Sequence, residues 1–201
     1  MKIKLLILSL LILSSSAFAS DEILLRDNFL KSSLGLSEVP MHSYIILKDD
    51  IEEGVNKILK DTYHLPVIKY WRSGKKVGFI LEAIGKHEFI TTGFTVEDNK
   101  ISDAKVLVYR ENYGYEIKYD MFINQIEGNS LKGNGKLVGR IANISGATLS
   151  VNSMRKLSKL SLFFAIARFG EPPRIGSVIL NGIGRVFSLK PKTGNITKKC
   201  K

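Results

Sequence analysis

The stretch Val77–Val96, VGFILEAIGKHEFITTGFTV, decides the fold. Val77 to Ala83 and Phe89 to Val96 are runs of strand length, rich in aromatic and β-branched residues and parted near Gly85 and Lys86. Glu97-Asp98-Asn99-Lys100 follows with turn chemistry, and Ala104 to Tyr109 resumes an apolar-rich strand. Strands in such close succession, joined by short polar breaks, predict a β meander.

Upstream, residues 20–48 mix apolar and polar positions without a clear period. Asp49 or Asp50 is placed to cap a helix in which Ile51, Val55, Ile58 and Leu59 fall at helical spacing, and Pro66 ends that region. Downstream of the meander, Gly114 breaks the chain. Phe122, Ile123 and Ile126 then suggest one apolar helical face before Gly128. Gly133, Gly135 and Gly139 bracket Lys136-Leu137-Val138; their spacing misses the dinucleotide fingerprint by one residue, so they read as turn glycines around a short strand. Residues 149–169 form the most helical segment, with Met154, Leu157, Leu160, Phe164 and Ala167 on one face and Ser150 as a candidate cap. Gly170 and Pro172-Pro173 stop it, and a hairpin and a basic tail are expected over 171–201. The expected fold is α+β: a single domain with a curved, mainly antiparallel sheet packed by helices, spanning 67–170 and preceded by a helical or irregular segment over 20–66.

The first nineteen residues stand apart. Lys2 and Lys4 precede an apolar run from Leu5 to Leu13, and Ala17-Phe18-Ala19 completes a cleavable secretory signal pattern. The run is too short to span a bilayer as a helix. A periplasmic or other extracytoplasmic location is therefore expected. Loss of those two lysines lowers the formal charge from +11 to +9. A basic exported chain suits anionic lipid, a cell-wall polymer or a phosphate-bearing cofactor. Nucleic acid is a poor partner, since no aromatic-plus-basic RNA-binding motif accompanies the charge.

Cys200, the only cysteine, lies in the basic tail and excludes an intramolecular disulfide. His42, His64 and His87 lack metal-site spacing, and no haem-attachment motif occurs. A hydrolase using Ser145 or Ser150 finds no nucleophile elbow, and His87, the nearest histidine, lies in an unrelated segment. Neither a thiol nor a metal centre is supplied by the side chains.

Ser145-Gly146-Ala147-Thr148, followed by a long helix, carries the pointed chemistry. A phosphate ester on Thr148 would need its hydroxyl exposed at a turn, and Gly146 and Ala147 would leave the approach uncrowded. A helix beginning there turns free N–H groups toward the phosphate. Ser150, Arg140 and Arg155 lie near in sequence.

This string resembles the attachment motif D-x-x-[ST]-G-A-T of the FMN-binding domain family. That family includes the flavinylated periplasmic subunits of the sodium-pumping NADH:quinone reductase and of the Rnf complex. Over about residues 67–169 there are weaker likenesses: Lys76 to Phe79, Asn99 to Ile101, Glu111 and Gly114 within Val108–Gly114, and Phe122 to Ile126 with Gly128. The resemblance implies FMN joined through its phosphate to Thr148, a flavin transferase that attaches it, and redox partner proteins at or near the membrane. It implies an electron carrier rather than a complete enzyme. The cofactor-binding set then comprises Thr148, Ser145, Gly146, Ala147, Ser150, Glu111, Tyr113, Gly114 and Arg140, with Trp71, Tyr109 and Tyr113 as candidate walls for the flavin ring. The position of the motif aspartate holds Ala142. The alternative is a flavin-free basic module that contacts anionic lipid or cell-wall polymer.

Overall fold

The computed structural model describes residues 21–60 and 63–169; the expected leader and the expected terminal hairpin lie outside the described residues. One antiparallel sheet runs in sequential order through β1 (Ser43–Ile46), β2 (Val67–Ser73), β3 (Lys76–Ile84), β4 (Phe89–Glu97) and β5 (Lys100–Tyr109). The expected meander forms β3 to β5, and β1 and β2 extend the sheet beyond β3. The turn between β4 and β5 is tighter than expected. Asp98 and Asn99 both take positive φ, 47° and 62°, which matches the twist of a two-residue hairpin, so β5 begins at Lys100 rather than near Ala104. Register shifts between Thr91 and Thr92 and between Thr95 and Val96 bend the β4–β5 ladder.

Alternation sorts the side chains onto two faces. Phe79 and Leu81 of β3 and Ile90, Phe94 and Val96 of β4 are buried on one face. Helices α2 (Asp49–Leu59) and α4 (Thr148–Phe169) complete that core. Lys48, not an aspartate, is the cap of α2, and Asp49, Asp50 and Glu52 occupy its first turn, where acidic charge suits the positive end of the helix.

The opposite face is covered by residues 21–34, which form a helix, α1. No periodicity announced it, because Ile23, Leu24 and Leu25 are exposed while Phe29, Leu30 and Leu34 are buried in a second, smaller cluster with Leu107. Gly93 makes that approach possible. A Cβ there would stand 2.4 Å from the Phe29 ring.

The glycine-rich segment forms no strand: Leu131 and Leu137 meet in one isolated bridge around a turn closed by Lys132 and Lys136. A 3-10 turn (Tyr115–Lys118) precedes the short helix α3 (Asp120–Ile123), and Phe122, Ile123 and Ile126 are buried as their spacing suggests. Helix α4 buries Ser150, Ser153, Ser158 and Ser161 besides its apolar residues. Ser158 and Ser161 donate back to α4 carbonyls, so their hydroxyls are satisfied inside the core. No helix among the described residues is long and apolar enough to cross a membrane.

Candidate functional site

A cavity of about 470 Å³ opens where three segments meet: the β3–β4 turn at Lys86 and His87, the chain after β5 at Glu111 to Tyr113, and the start of α4 from Gly146 to Ser150. That volume lies in the range of small-molecule and cofactor pockets.

Each wall is tied to the others by specific bonds. The Glu111 carboxylate accepts three backbone N–H groups of the β3–β4 turn, from Lys86, from His87 at 2.6 Å and from Glu88 at 3.0 Å. Desolvation acts to raise its pKa, but the donors on Glu88, His87 and Lys86 outweigh it and bring the carboxyl below its ordinary value of 4.5. Among the described residues Glu111 pairs with no lysine side chain; it fixes a turn. Gly85 leaves room for it, since a Cβ there would stand 2.7 Å from the carboxylate oxygen.

Helix α4 is docked by its own first two turns. Ser150 is buried, and its hydroxyl lies 3.1 Å from the Tyr109 hydroxyl, which donates to the Tyr113 carbonyl. Desolvation pushes the Tyr109 phenol above its ordinary value, which keeps it a protonated donor. Ser153 donates to the Ile84 carbonyl at the end of β3, at 2.5 Å. Arg155 reaches back to the Ile141 carbonyl at 2.6 Å, so its guanidinium holds the segment before the motif rather than facing the cavity. Ser150, expected as a cap, instead serves as a buried tether inside the first turn. Gly114 sits against this tether at φ 87°, where a Cβ would crowd the Tyr109 hydroxyl at 2.9 Å and Ala147 at 3.1 Å.

Thr148 is the first residue of α4 and is exposed. Ala147 before it is buried, and its N–H donates to the Ile144 carbonyl at 3.0 Å. The N–H groups of Thr148, Leu149 and Ser150 have no acceptor among the described residues. They project along the helix axis at the cavity, as helix-start donors do for a phosphate. Gly146 takes φ 83° with open space around its Cα. From Gly128 to Gly170 the chain holds no acidic residue, while Lys132, Lys136, Arg140, Arg155, Lys156, Lys159 and Arg168 are cationic. An anionic group at the start of α4 thus meets no like charge from this stretch.

Residues 85–162 match the FMN-binding domain family model. This segment is an FMN-binding domain. The match is narrower than the 67–169 expected from the sequence: it begins at the β3–β4 turn and ends inside α4, and it contains every wall of the cavity. The chain is accordingly a flavin-binding protein with FMN as its cofactor. No curated protein and no solved structure gives a significant match.

Within the FMN-binding domain, Thr148, Gly146, Ala147, Ser150, Glu111 and Tyr113 line the cavity. Ser145 is exposed beside Gly146, Gly114 packs behind the wall, and Arg140 is exposed outside the lining. Trp71 is on the other side of the sheet with the α1 cluster, and Tyr109 tethers from behind; of the three candidate ring walls, Tyr113 alone is at the cavity, joined there by Leu149. Sequence reasoning missed Lys86 and Asn112. It also set His87 in an unrelated segment, yet the β3–β4 turn brings His87 to the same cavity. Its imidazole bonds neither Ser145 nor Ser150, the serines a hydrolase would have used. No group of three or more potential metal ligands occurs among the described residues.

Proposed function

We propose that this is an exported electron carrier that holds FMN as a phosphoester on Thr148. The observation carrying the reading is the placement of Thr148: an exposed hydroxyl on the first residue of α4, beside unpaired helix N–H groups, at the cavity of an FMN-binding domain. Attachment would be the work of a flavin transferase using a flavin dinucleotide. Thr148 Oγ1 forms the new bond to phosphorus, the pyrophosphate P–O bond breaks, a nucleoside monophosphate leaves, and the hydroxyl proton passes to a base. FMN supplies one- or two-electron chemistry, and the chain anchors and orients it. A helix start stabilises an exposed anion by only about 0.3–1 kcal/mol, which orients a phosphate but retains it poorly. A covalent bond supplies the retention. The family match favours this reading over a flavin-free module for anionic lipid or wall polymer.

Co-expression with a flavin transferase and intact-mass measurement under denaturing conditions tests it. The parent is expected to gain the mass of one FMN less water and Thr148→Val to gain nothing. A Thr148→Val chain that keeps the adduct would overturn the assignment. Export is tested separately by the N-terminus of the mature chain, expected at Ser20.

A further inference from the structure

We infer that Asn143 is the positioning residue for the acceptor hydroxyl, an inference that rests on the ester reading above. Asn143 Nδ2 donates to Thr148 Oγ1 at 2.9 Å. A threonine at the start of a helix divides between two χ1 rotamers when nothing holds its hydroxyl. Only one of them carries the oxygen along a given line of approach.

The hold is effective because the backbone beneath Asn143 is itself fixed on both sides. The Ala142 N–H donates to Gln125 Oε1 at 2.8 Å, and the Ile141 carbonyl accepts from Arg155 at 2.6 Å. The Ala147 N–H closes the loop onto Ile144. Gln125 is anchored in turn: its backbone carbonyl accepts from Asn129, which is buried and also binds the Gly139 N–H. A side chain presented from such a segment delivers its amide to one place.

The position of the motif aspartate is occupied by Ala142, which has no polar side chain. Asn143, one residue on, reaches the hydroxyl and does so without charge. Donation to Oγ1 uses one lone pair and leaves the other free for phosphorus. The pyrophosphate P–O bond breaks as the new ester bond forms, and the proton leaves to solvent or to a base of the transferase. Asn143 takes no proton and makes no bond to phosphorus. Its contribution is geometric.

The experiment measures initial rates of ester formation on purified flavin-free protein, with transferase and flavin dinucleotide, over a range of acceptor concentrations. Asn143→Ala is expected to lower kcat about five-fold, the scale of one hydrogen bond, with KM for the acceptor unchanged. Asn143→Asp, isosteric and able to accept the Thr148 O–H, is expected to recover most of the rate. On the flavin-free chain, the NMR couplings at Thr148 are expected to report one χ1 rotamer in the parent and in Asn143→Asp, and an average in Asn143→Ala, with spectra otherwise unchanged. Asn143→Ala esterified at the parent rate, or slowed through KM alone, would overturn this role. A parent that accepts no flavin would overturn the ester reading and this role together, whereas equal loading of parent and Asn143→Ala would remove the role alone.

Discussion

On the α4 side of the sheet, Phe79, Leu81 and Phe94 are wholly enclosed by α2, α4 and the turns that follow β5. On the α1 side, Gly78, Gly93 and Thr91 hold the alternate positions, and the helix is seated by Phe29, Leu30 and Leu34. That smaller seat is fringed with ions. Arg26 pairs with Glu82 at 3.4 Å and Arg110 with Glu22 at 2.7 Å, while Thr91 donates to Glu82. Partly exposed pairs of this kind contribute little, about 0–1 kcal/mol each. The two faces therefore differ in kind: one is a continuous apolar core whose helix begins at the candidate cavity, and the other is a strap held by a few contacts. Stability of the α4 face and geometry of the site are expected to travel together, and the α1 face to vary without them.

The largest effect is expected from Phe164→Ala, which empties a wholly buried site between α4 and Phe79. It should lower unfolding stability by about 3–5 kcal/mol in a denaturant titration, and flavin loading should fall with it. Gly93→Ala drives a methyl into the Phe29 ring and should cost about 1–3 kcal/mol, while flavin loading at a temperature where the chain stays folded is kept. Equal loss of loading in both variants would break the distinction between the faces.

The smallest effect sharpens the link between the core and the cavity wall. Glu111→Gln keeps an acceptor oxygen but loses the charge that gathers the β3–β4 turn, a loss of about 1 kcal/mol at pH 7. Because the folded chain holds the Glu111 pKa below 4.5, its contribution is fully present above that value and is lost as pH falls through the lowered one. The stability gap between parent and Glu111→Gln should accordingly close with acidification, and a gap independent of pH would show that the carboxylate does not gather the turn.

The same contrast explains what was legible in the sequence. The central strands and α4 could be read because Phe79, Leu81, Phe94, Met154 and Leu157 repeat with the period of their element toward one apolar core. Residues 21–34 hid their helix because the buried Phe29, Leu30 and Leu34 share it with the exposed Ile23 to Leu25. In β2 the alternation blurs because Trp71 meets the α1 cluster while Ile68 and Tyr70 enter the main core. At the cavity, Thr148 as the opening of α4 was legible from a four-residue string. Lys86 and His87 were not, since they arrive through a turn about sixty residues away whose anchor is a carboxylate bonded to backbone N–H groups, a contact that leaves no pattern in side-chain types. Arg155 was legible as a cation near the motif but not as a brace, because its partner is a main-chain carbonyl.

The central claim is that flavin is esterified at the first residue of α4. Digestion of the denatured, flavin-loaded chain and sequencing of its fluorescent peptide by mass spectrometry tests this most directly. The account predicts a single flavin peptide from the region of Ser145 to Arg155 with the added mass on Thr148; flavin released on denaturation, or borne by another residue, would contradict it.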